Sequence, residues 1–431
     1  MAASPHRLRR GSPPYIHRFR LPVAAEVQCS VQGYARGARW EVPGAESGVV
    51  TLQVDGRYNQ DLVLFGDGIH AEYHRLLGCL PAGAHVLSID FNDALSAPRV
   101  SDADITAAAI SPIPGRDRDA SVLRRAPAIY WRDLSDPRET AMTDTPLVLF
   151  TRTTSAEGRR SIEYHLVSSH EDEGTPLLGL LAKWGHTTDI EWIYRVTPAD
   201  ETGPGRWFQG PGHRTNRFRG KTVLGGHPAL QLTTRHGMVT DRITGRVRSI
   251  LPPAIDLPHD EPREATMTRF PWTYQVSVRE VRRQVLPLIP SPGDPREYLY
   301  LQFRPGPIRP RKARLAFEAG VRLRGEADWR WSSLGAALLC FAGHEAWSTA
   351  VRIPIRTRAS DIEVIALRAE PAGSFGRRCT VRTALFAALL LDQHDRATAV
   401  LRAPGPWVEI AAGTTQILWN AATGRVGASS G

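Results

Sequence analysis

Apolar and polar residues alternate with a period of two through much of the chain, the signature of half-buried strands. The clearest case is DIEWIYRV at 189–196, where strict alternation puts Ile190, Trp192, Tyr194 and Val196 on a core face and Asp189, Glu191, Ile193 and Arg195 on the other. In SIEYHLV at 161–167, Ile162, Tyr164 and Leu166 share the core face and leave Glu163 and His165 opposite; HPALQLTT at 227–234 reads as a third strand. Upstream, VVTLQV, DLVLF and HVLSIDF are parted by the turn signals Asp55-Gly56, Gly66-Asp67-Gly68 and Pro81-Ala82-Gly83. Downstream, FPWTYQVSV, EYLYLQF, RKARLAFEAGVRL, STAVRIPI and PWVEIAAG have strand composition. ALFAALLLDQ at 384–393 fits a short helix or a buried strand, which periodicity does not separate.

These elements predict a mainly β, multidomain chain of antiparallel β-sandwiches with few helices. A flexible basic tail is expected over 1–20, a small β-sandwich over 21–97 and a linker or loop-rich segment over 98–143. A β domain follows over 144–250. The proline- and acid-rich loop LPPAIDLPHDEPREA at 251–265 then leads to a C-terminal β-rich domain over 266–422. A length of 431 residues suits two or three such domains.

Charge changes the picture less than its size suggests. The net charge of +10 invites a nucleic-acid reading. However, Lys183, Lys221 and Lys312 are the only lysines, so 51 of the 54 basic residues are arginine, scattered among acids. Basic runs are confined to pieces such as HRLRR and RPRKAR, which argues against a phosphate-binding surface. No apolar run of seven or more occurs in residues 1–28, and ALFAALLL is too short to span a bilayer. A soluble protein is expected, one that stays inside the cell or whose export signal lies outside this sequence. The four cysteines exclude a CxxC-type zinc motif. They leave two states open: free thiols, or the within-domain disulfides Cys29–Cys79 and Cys340–Cys379.

Candidate chemistry concentrates in HEDEGT at 170–175 and WGHTTDIEW at 184–192. Strand residues two apart point the same way, so Asp189 and Glu191 should present carboxylates about 6 to 7 Å apart. Glycosidases place a general acid and a base or nucleophile at such separations. The competing reading is a solvated sheet face on which these acids pair with Arg195 or Lys183. Glu171, Asp172 and Glu173 crowd a turn at the end of the Ile162 strand, where their repulsion calls for arginines or a cation; no cofactor is predicted, and calcium is one cation the turn would accept. His213, delivered by the loop QGPGHRTNRF, is the best-placed of the scattered histidines. Trp184 and Trp207, in loops beside glycines, are expected to be exposed where they could stack on sugar rings, whereas Trp192 is expected in the core.

The run from TPLVLF through SSHEDEGTP to WGHTTDIEW resembles a segment of uncharacterised bacterial proteins with EDGGT and GRTTDIEW variants, and more remotely a family named after vacuolar protein sorting. About a quarter of the chain is covered, and here Glu173 replaces a glycine and His186 an arginine. The resemblance implies a shared structural segment and no chemistry. The leading expectation is therefore a carbohydrate-active protein, with Asp189 and Glu191 as a carboxylate pair and Glu171, Asp172, Glu173, Trp184, Trp207 and His213 at the cleft. The alternatives are a non-catalytic ligand-binding or adhesion protein, taking carbohydrate or another small polar ligand, and a metal-dependent hydrolase using the histidines.

Overall fold

The computed structural model describes residues 5–65, 72–113, 118–141, 145–156, 159–171, 175–200, 203–283, 292–310, 314–343, 348–372, 379–401 and 404–422. The chain is mainly β, with 52% strand and 12% helix arranged in several antiparallel sheets. It divides into two compact units, the first formed by Met1–Glu173 and Thr188–Leu257, the second by Gly174–Thr187 and Pro258–Gly431.

The first unit begins with two four-stranded sheets. One runs β1 (His6–Arg9), β8 (Asp102–Ile113), β3 (Ala25–Ala35), β6 (Glu72–Leu80); the other runs β2 (Tyr15–Leu21), β7 (Gly83–Phe91), β4 (Gly48–Val54), β5 (Arg57–Leu64). Burial alternates along β3 and β4, as a strand with one core face requires. Two expectations are corrected here. Residues 6–9 and 15–21 are not a flexible tail, because alternation in YIHRFRL lets β2 pair along its whole length with β7. Residues 102–113 are not linker, because β8 pairs with most of β3.

A second pair of sheets follows in the same unit. The larger runs β14 (Arg214–Arg217), β13 (Gly203–Gly210), β12 (Ile190–Asp200), β11 (Arg159–Ser168), β10 (Pro146–Ala156), β19 (Pro253–Asp256). The smaller runs β15 (Thr222–Val223), β16 (His227–Leu232), β9 (Ala128–Tyr130), β18 (Arg248–Ser249), with β17 (Val239–Thr240) also on β16. Their shared core contains Tyr164, Leu166, Ile193, Tyr194, Leu230 and Leu232.

The two sandwiches of this unit are bound by buried polar contacts as well as by packing. Cys79 N–H donates to the Leu224 carbonyl (3.0 Å) and Leu76 N–H to that of Ile250 (2.9 Å). His227 Nδ1 lies 2.8 Å from the Ala126 carbonyl and Nε2 lies 3.2 Å from Glu26 Oε1, with both side chains almost fully buried. A carbonyl can only accept, so Nδ1 is the donor to Ala126. The four cysteines are free thiols. Strand register forbids a Cys29–Cys79 bond: Cys29 faces Arg75 while Cys79 faces Glu26, an offset of about 10 Å or more against the roughly 7 Å limit between Cα atoms. Burial pushes the Cys29 thiol up to about 12.

The second unit is again two sheets. One runs β21 (Ile308–Arg309), β27 (Thr380–Leu391), β20 (Tyr298–Arg304), β25 (Ser348–Arg352), with β28 (Ala397–Ala399) and β29 (Val408–Ala411) on β27. The other runs β23 (Arg330–Trp331), β22 (Arg314–Leu323), β26 (Ile362–Ala372), β30 (Thr414–Asn420), with β24 (Phe341–Gly343) on β22. ALFAALLL is thus a strand, buried in the core with Leu315, Val321 and Ile365.

Five α-helices occur among the described residues: α1 (Arg118–Arg124), α2 (Pro137–Thr140), α3 (Leu177–Trp184), α4 (Ala265–Arg269) and α5 (Trp272–Arg283). No described helix is long and apolar enough to cross a membrane. Helix α3 buries Leu177, Leu178, Leu180 and Leu181 and ends at Gly185, whose φ of 71° is the left-handed turn glycine supplies. Helix α5 overturns the strand expected in FPWTYQVSV. Its β-branched residues suggested a strand, but Tyr274, Val278 and Val281 recur at helical spacing and all three are buried.

One ion pair makes the stability of the first unit pH-dependent. His85 Nδ1 lies 2.7 Å from Asp55 Oδ2. The hydrogen bond that His85 donates to Asp55 raises His85 above its ordinary value despite desolvation. Burial would raise Asp55, but the His85 bond and the Val86 amide together hold it below the carboxylate range. The His85 contribution is fully present below about pH 6.5 and fades as pH rises through the elevated folded value. That of Asp55 is present above about pH 4 and fades as pH falls through the depressed one. His85→Gln should therefore lower Tm by about 2–4 °C between roughly pH 4 and 6.5, since the half-exposed Asp55 limits the pair to about 1 kcal/mol. Melts at pH 5.5 and 9 test this; a difference that grows at pH 9 would contradict it.

Candidate functional site

Everything at the candidate site follows from one irregularity between β11 and β12. Tyr194 lies opposite Tyr164 but Trp192 lies opposite His165, so Ile193 is an extra residue, a β-bulge. The bulge resets the alternation. Ile193, Tyr194 and Val196 all enter the core, whereas Trp192, expected there, is half-buried on the opposite face.

On that outer face the Arg195 guanidinium lies over the Trp192 ring, 4.6 Å from its centroid, and Arg195 Nη2 pairs with Glu163 Oε1 at 2.6 Å. His165 approaches the other Glu163 oxygen at 3.3 Å and stacks on Phe150, 4.9 Å between centroids. Burial would raise Glu163, but His165 and Arg195 outweigh it and hold the carboxyl below its ordinary value. Trp207 faces Arg195 in register and is half-buried. Its ring lies against the backbone of Gly205, where a Cβ would sit 1.8 Å from Cη2, so no other residue fits at 205 without moving the ring.

Asp189 and Glu191 lie elsewhere. The loop between β16 and β17 reaches the start of β12 and the turn between β13 and β14. Here Gln209 Nε2 lies 3.0 Å from Glu191 Oε2 and 2.7 Å from His213 Nδ1. An ionised carboxylate only accepts, so the amide nitrogen is the donor to both, and His213 keeps its proton on Nε2. His213 is 60% exposed, stands 3.9 Å from Glu191 Oε1, and has a φ of 57°, uncommon for a non-glycine residue. Its ring meets that of His236, 5.9 Å between centroids. Asp189 is buried, with Gly237 packed so closely that a Cβ there would meet Asp189 Oδ2 at 2.3 Å.

The structure thus gathers Asp189, Glu191 and His213, and adds His236, one of the scattered histidines, and Gln209, which carries no motif in the sequence. Glu171 is half-buried just beyond β11, while Asp172 and Glu173 fall outside the described residues. Trp184 is not in an exposed loop. It ends α3 in the second unit, half-buried edge-on to Phe341 (5.9 Å), with its carbonyl accepting from Ser348 Oγ. Among the described residues, no three His, Cys, Asp or Glu side chains form a group that could hold a metal ion.

Gly237→Ala tests the packing on Asp189. Its φ of 66° disfavours any Cβ, and the added atom collides with the carboxylate. A loss of about 1–3 kcal/mol is expected in urea unfolding, with shifted His213 and His236 ring signals in NMR spectra. Unchanged stability together with unchanged ring signals would refute the arrangement.

No family model matches the chain, and no curated protein matches it either. Among solved structures, it is similar to the EclA C-terminal domain, a sugar-binding protein (TM-score 0.19, 16% identity, covering 26% of this chain and 81% of that one). It is similar also to a ruminal GH26 endo-beta-1,4-mannanase (0.17, 10%, 28% and 27%). A third is an active-site mutant of a family two carbohydrate esterase from Clostridium thermocellum (0.18, 11%, 31% and 39%). Each likeness spans about a quarter to a third of this chain, and under half of the mannanase and esterase chains.

Proposed function

We propose that the chain is a carbohydrate-binding protein that holds saccharides on the outer face of the larger sheet in its first unit, without hydrolysing them. The observation that carries this reading is the row Trp207, Arg195, Trp192 and Glu163. Indole surfaces offer apolar area to the C–H face of a sugar ring, and a guanidinium fixed by its carboxylate partner offers planar donors and an acceptor to the hydroxyls. Rigid β-strands hold this row, so little side-chain entropy remains to be lost on binding. Against hydrolysis by the paired acids stands the setting of Asp189, which is buried against Gly237 and poorly placed to reach a glycosidic oxygen.

One observation favours a second reading, acid–base catalysis at the other cluster: the exposed His213 is held as one tautomer by Gln209, itself anchored on Glu191. A screen of the full chain on a glycan array, with product analysis on the same saccharides, separates the two readings. Binding without products is expected, and Trp207→Ala with Trp192→Ala should weaken it about tenfold or more, while Asp189→Asn and Glu191→Gln leave it unchanged. Hydrolysis abolished by His213→Asn or Glu191→Gln would replace binding with catalysis. Binding that survives loss of both tryptophans would remove the sheet face from the reading.

A further inference from the structure

The first unit contains a cavity of about 740 Å³ that takes no part in the reading above. It lies on the opposite face of the larger sheet. Ile162 and Val196 line it, and these point away from the side that carries Glu163 and Arg195. Gln28 of the first sandwich and the α1 segment complete its wall, so both sandwiches of this unit contribute. Ligand-sized pockets run from about 300 to 1,000 Å³, which makes this one far larger than an inorganic anion needs.

Its charged groups are unequal in number. Arg125 and Arg160 both line the cavity and both are exposed, and among the described residues neither has a carboxylate within ion-pair distance. Among the described residues that line it, the single acid is Asp256. Thr151 Oγ1 donates to its Oδ1 at 3.2 Å and Thr153 Oγ1 approaches its Oδ2 at 3.3 Å, one hydroxyl on each oxygen. Arg160 Nη2 reaches Thr153 Oγ1 at 3.5 Å, so the acid and this arginine flank one threonine. A carboxylate has about four acceptor positions, so Asp256, already oriented, can still accept from a ligand. Most of the remaining lining is aliphatic, including Ile162, Val196 and Ile255, with Gln28 and Ser121 adding polar groups.

We infer that this cavity binds a saccharide bearing a carboxylate, of the uronic acid class. Its carboxylate meets the two guanidinium groups, a ring hydroxyl donates to Asp256, and the C–H face of the ring lies on the aliphatic wall. A bare anion would leave that wall unused and face the repulsion of Asp256. A neutral sugar would leave two guanidinium groups uncompensated.

Calorimetric titration of the full chain with digalacturonate, cellobiose and inorganic phosphate tests the assignment. Digalacturonate should bind, cellobiose should not bind at this site, and phosphate should compete only at large excess. Arg125→Gln with Arg160→Gln should weaken digalacturonate at least tenfold and flatten its salt dependence, and Asp256→Asn should weaken it with the salt dependence intact. In the Trp192→Ala/Trp207→Ala background, which removes the sheet-face row, digalacturonate should still bind and cellobiose should not, which separates this site from the sheet face. Circular dichroism of each variant establishes that it is folded. Four results would each overturn the inference: equal binding of cellobiose in the tryptophan double variant, displacement by equimolar phosphate, unaltered affinity in the arginine double variant, or no digalacturonate binding by the folded protein.

Discussion

The bulge at Ile193 is the constraint on which the arrangement of the first unit depends. A strand that alternates without interruption would bury Trp192 and turn Ile193 outward. One extra residue lets Ile193 and Tyr194 enter the core together and moves Trp192 to the side of Arg195 and Glu163. Glu191 bonds Gln209, which also contacts His213, so a second polar cluster gathers near the start of β12.

The unusual arginine content acquires a structural explanation. Arg195 bonds a carboxylate with its edge and covers an indole with its face. Arg248 works similarly between the two sandwiches of the first unit. Its Nε donates to the Asn59 carbonyl at 2.7 Å and its Nη1 to the Tyr130 hydroxyl at 2.9 Å, while its plane lies over the Tyr58 ring. In the second unit, Arg368 pairs with Glu318 and covers Trp331 at 4.3 Å. A planar group with five fixed donors can do this where a lysine ammonium cannot. These arginines bind neighbouring segments to one another.

The candidate site was partly legible. Asp189, Glu191 and His213 stood out because acids two apart on a strand and a histidine in a Gly-Pro-Gly loop have local signatures. Gln209 and His236 have none, since a glutamine inside a strand and a histidine in a short turn become partners of Glu191 and His213 only when β13 and the turn after β16 close on the same strand end. Trp184 was misplaced for the converse reason. The glycine after it, locally a loop signal, is the left-handed cap of a helix whose leucines pack in the second unit. The cavity gave no sequence signal, because Gln28, Arg125, Arg160 and Asp256 are far apart along the chain and individually ordinary.

The sequence by itself determined the class of structure, because a period of two in apolar residues has few stable solutions other than sheets that bury one face. It determined several strands at nearly their true positions, such as SIEYHLV and HPALQL, and the outward placement of Glu163 and His165. Tertiary structure alone decided the rest. Whether YIHRFRL is a tail or an edge strand depends on β7 being free to pair, whether WTYQVSV coils or extends depends on the surface that receives its apolar stripe, and whether DIEWIYRV alternates or bulges depends on its partner strand. Each of these is a competition between similar local energies, and it is settled by contacts with residues tens or hundreds of positions away.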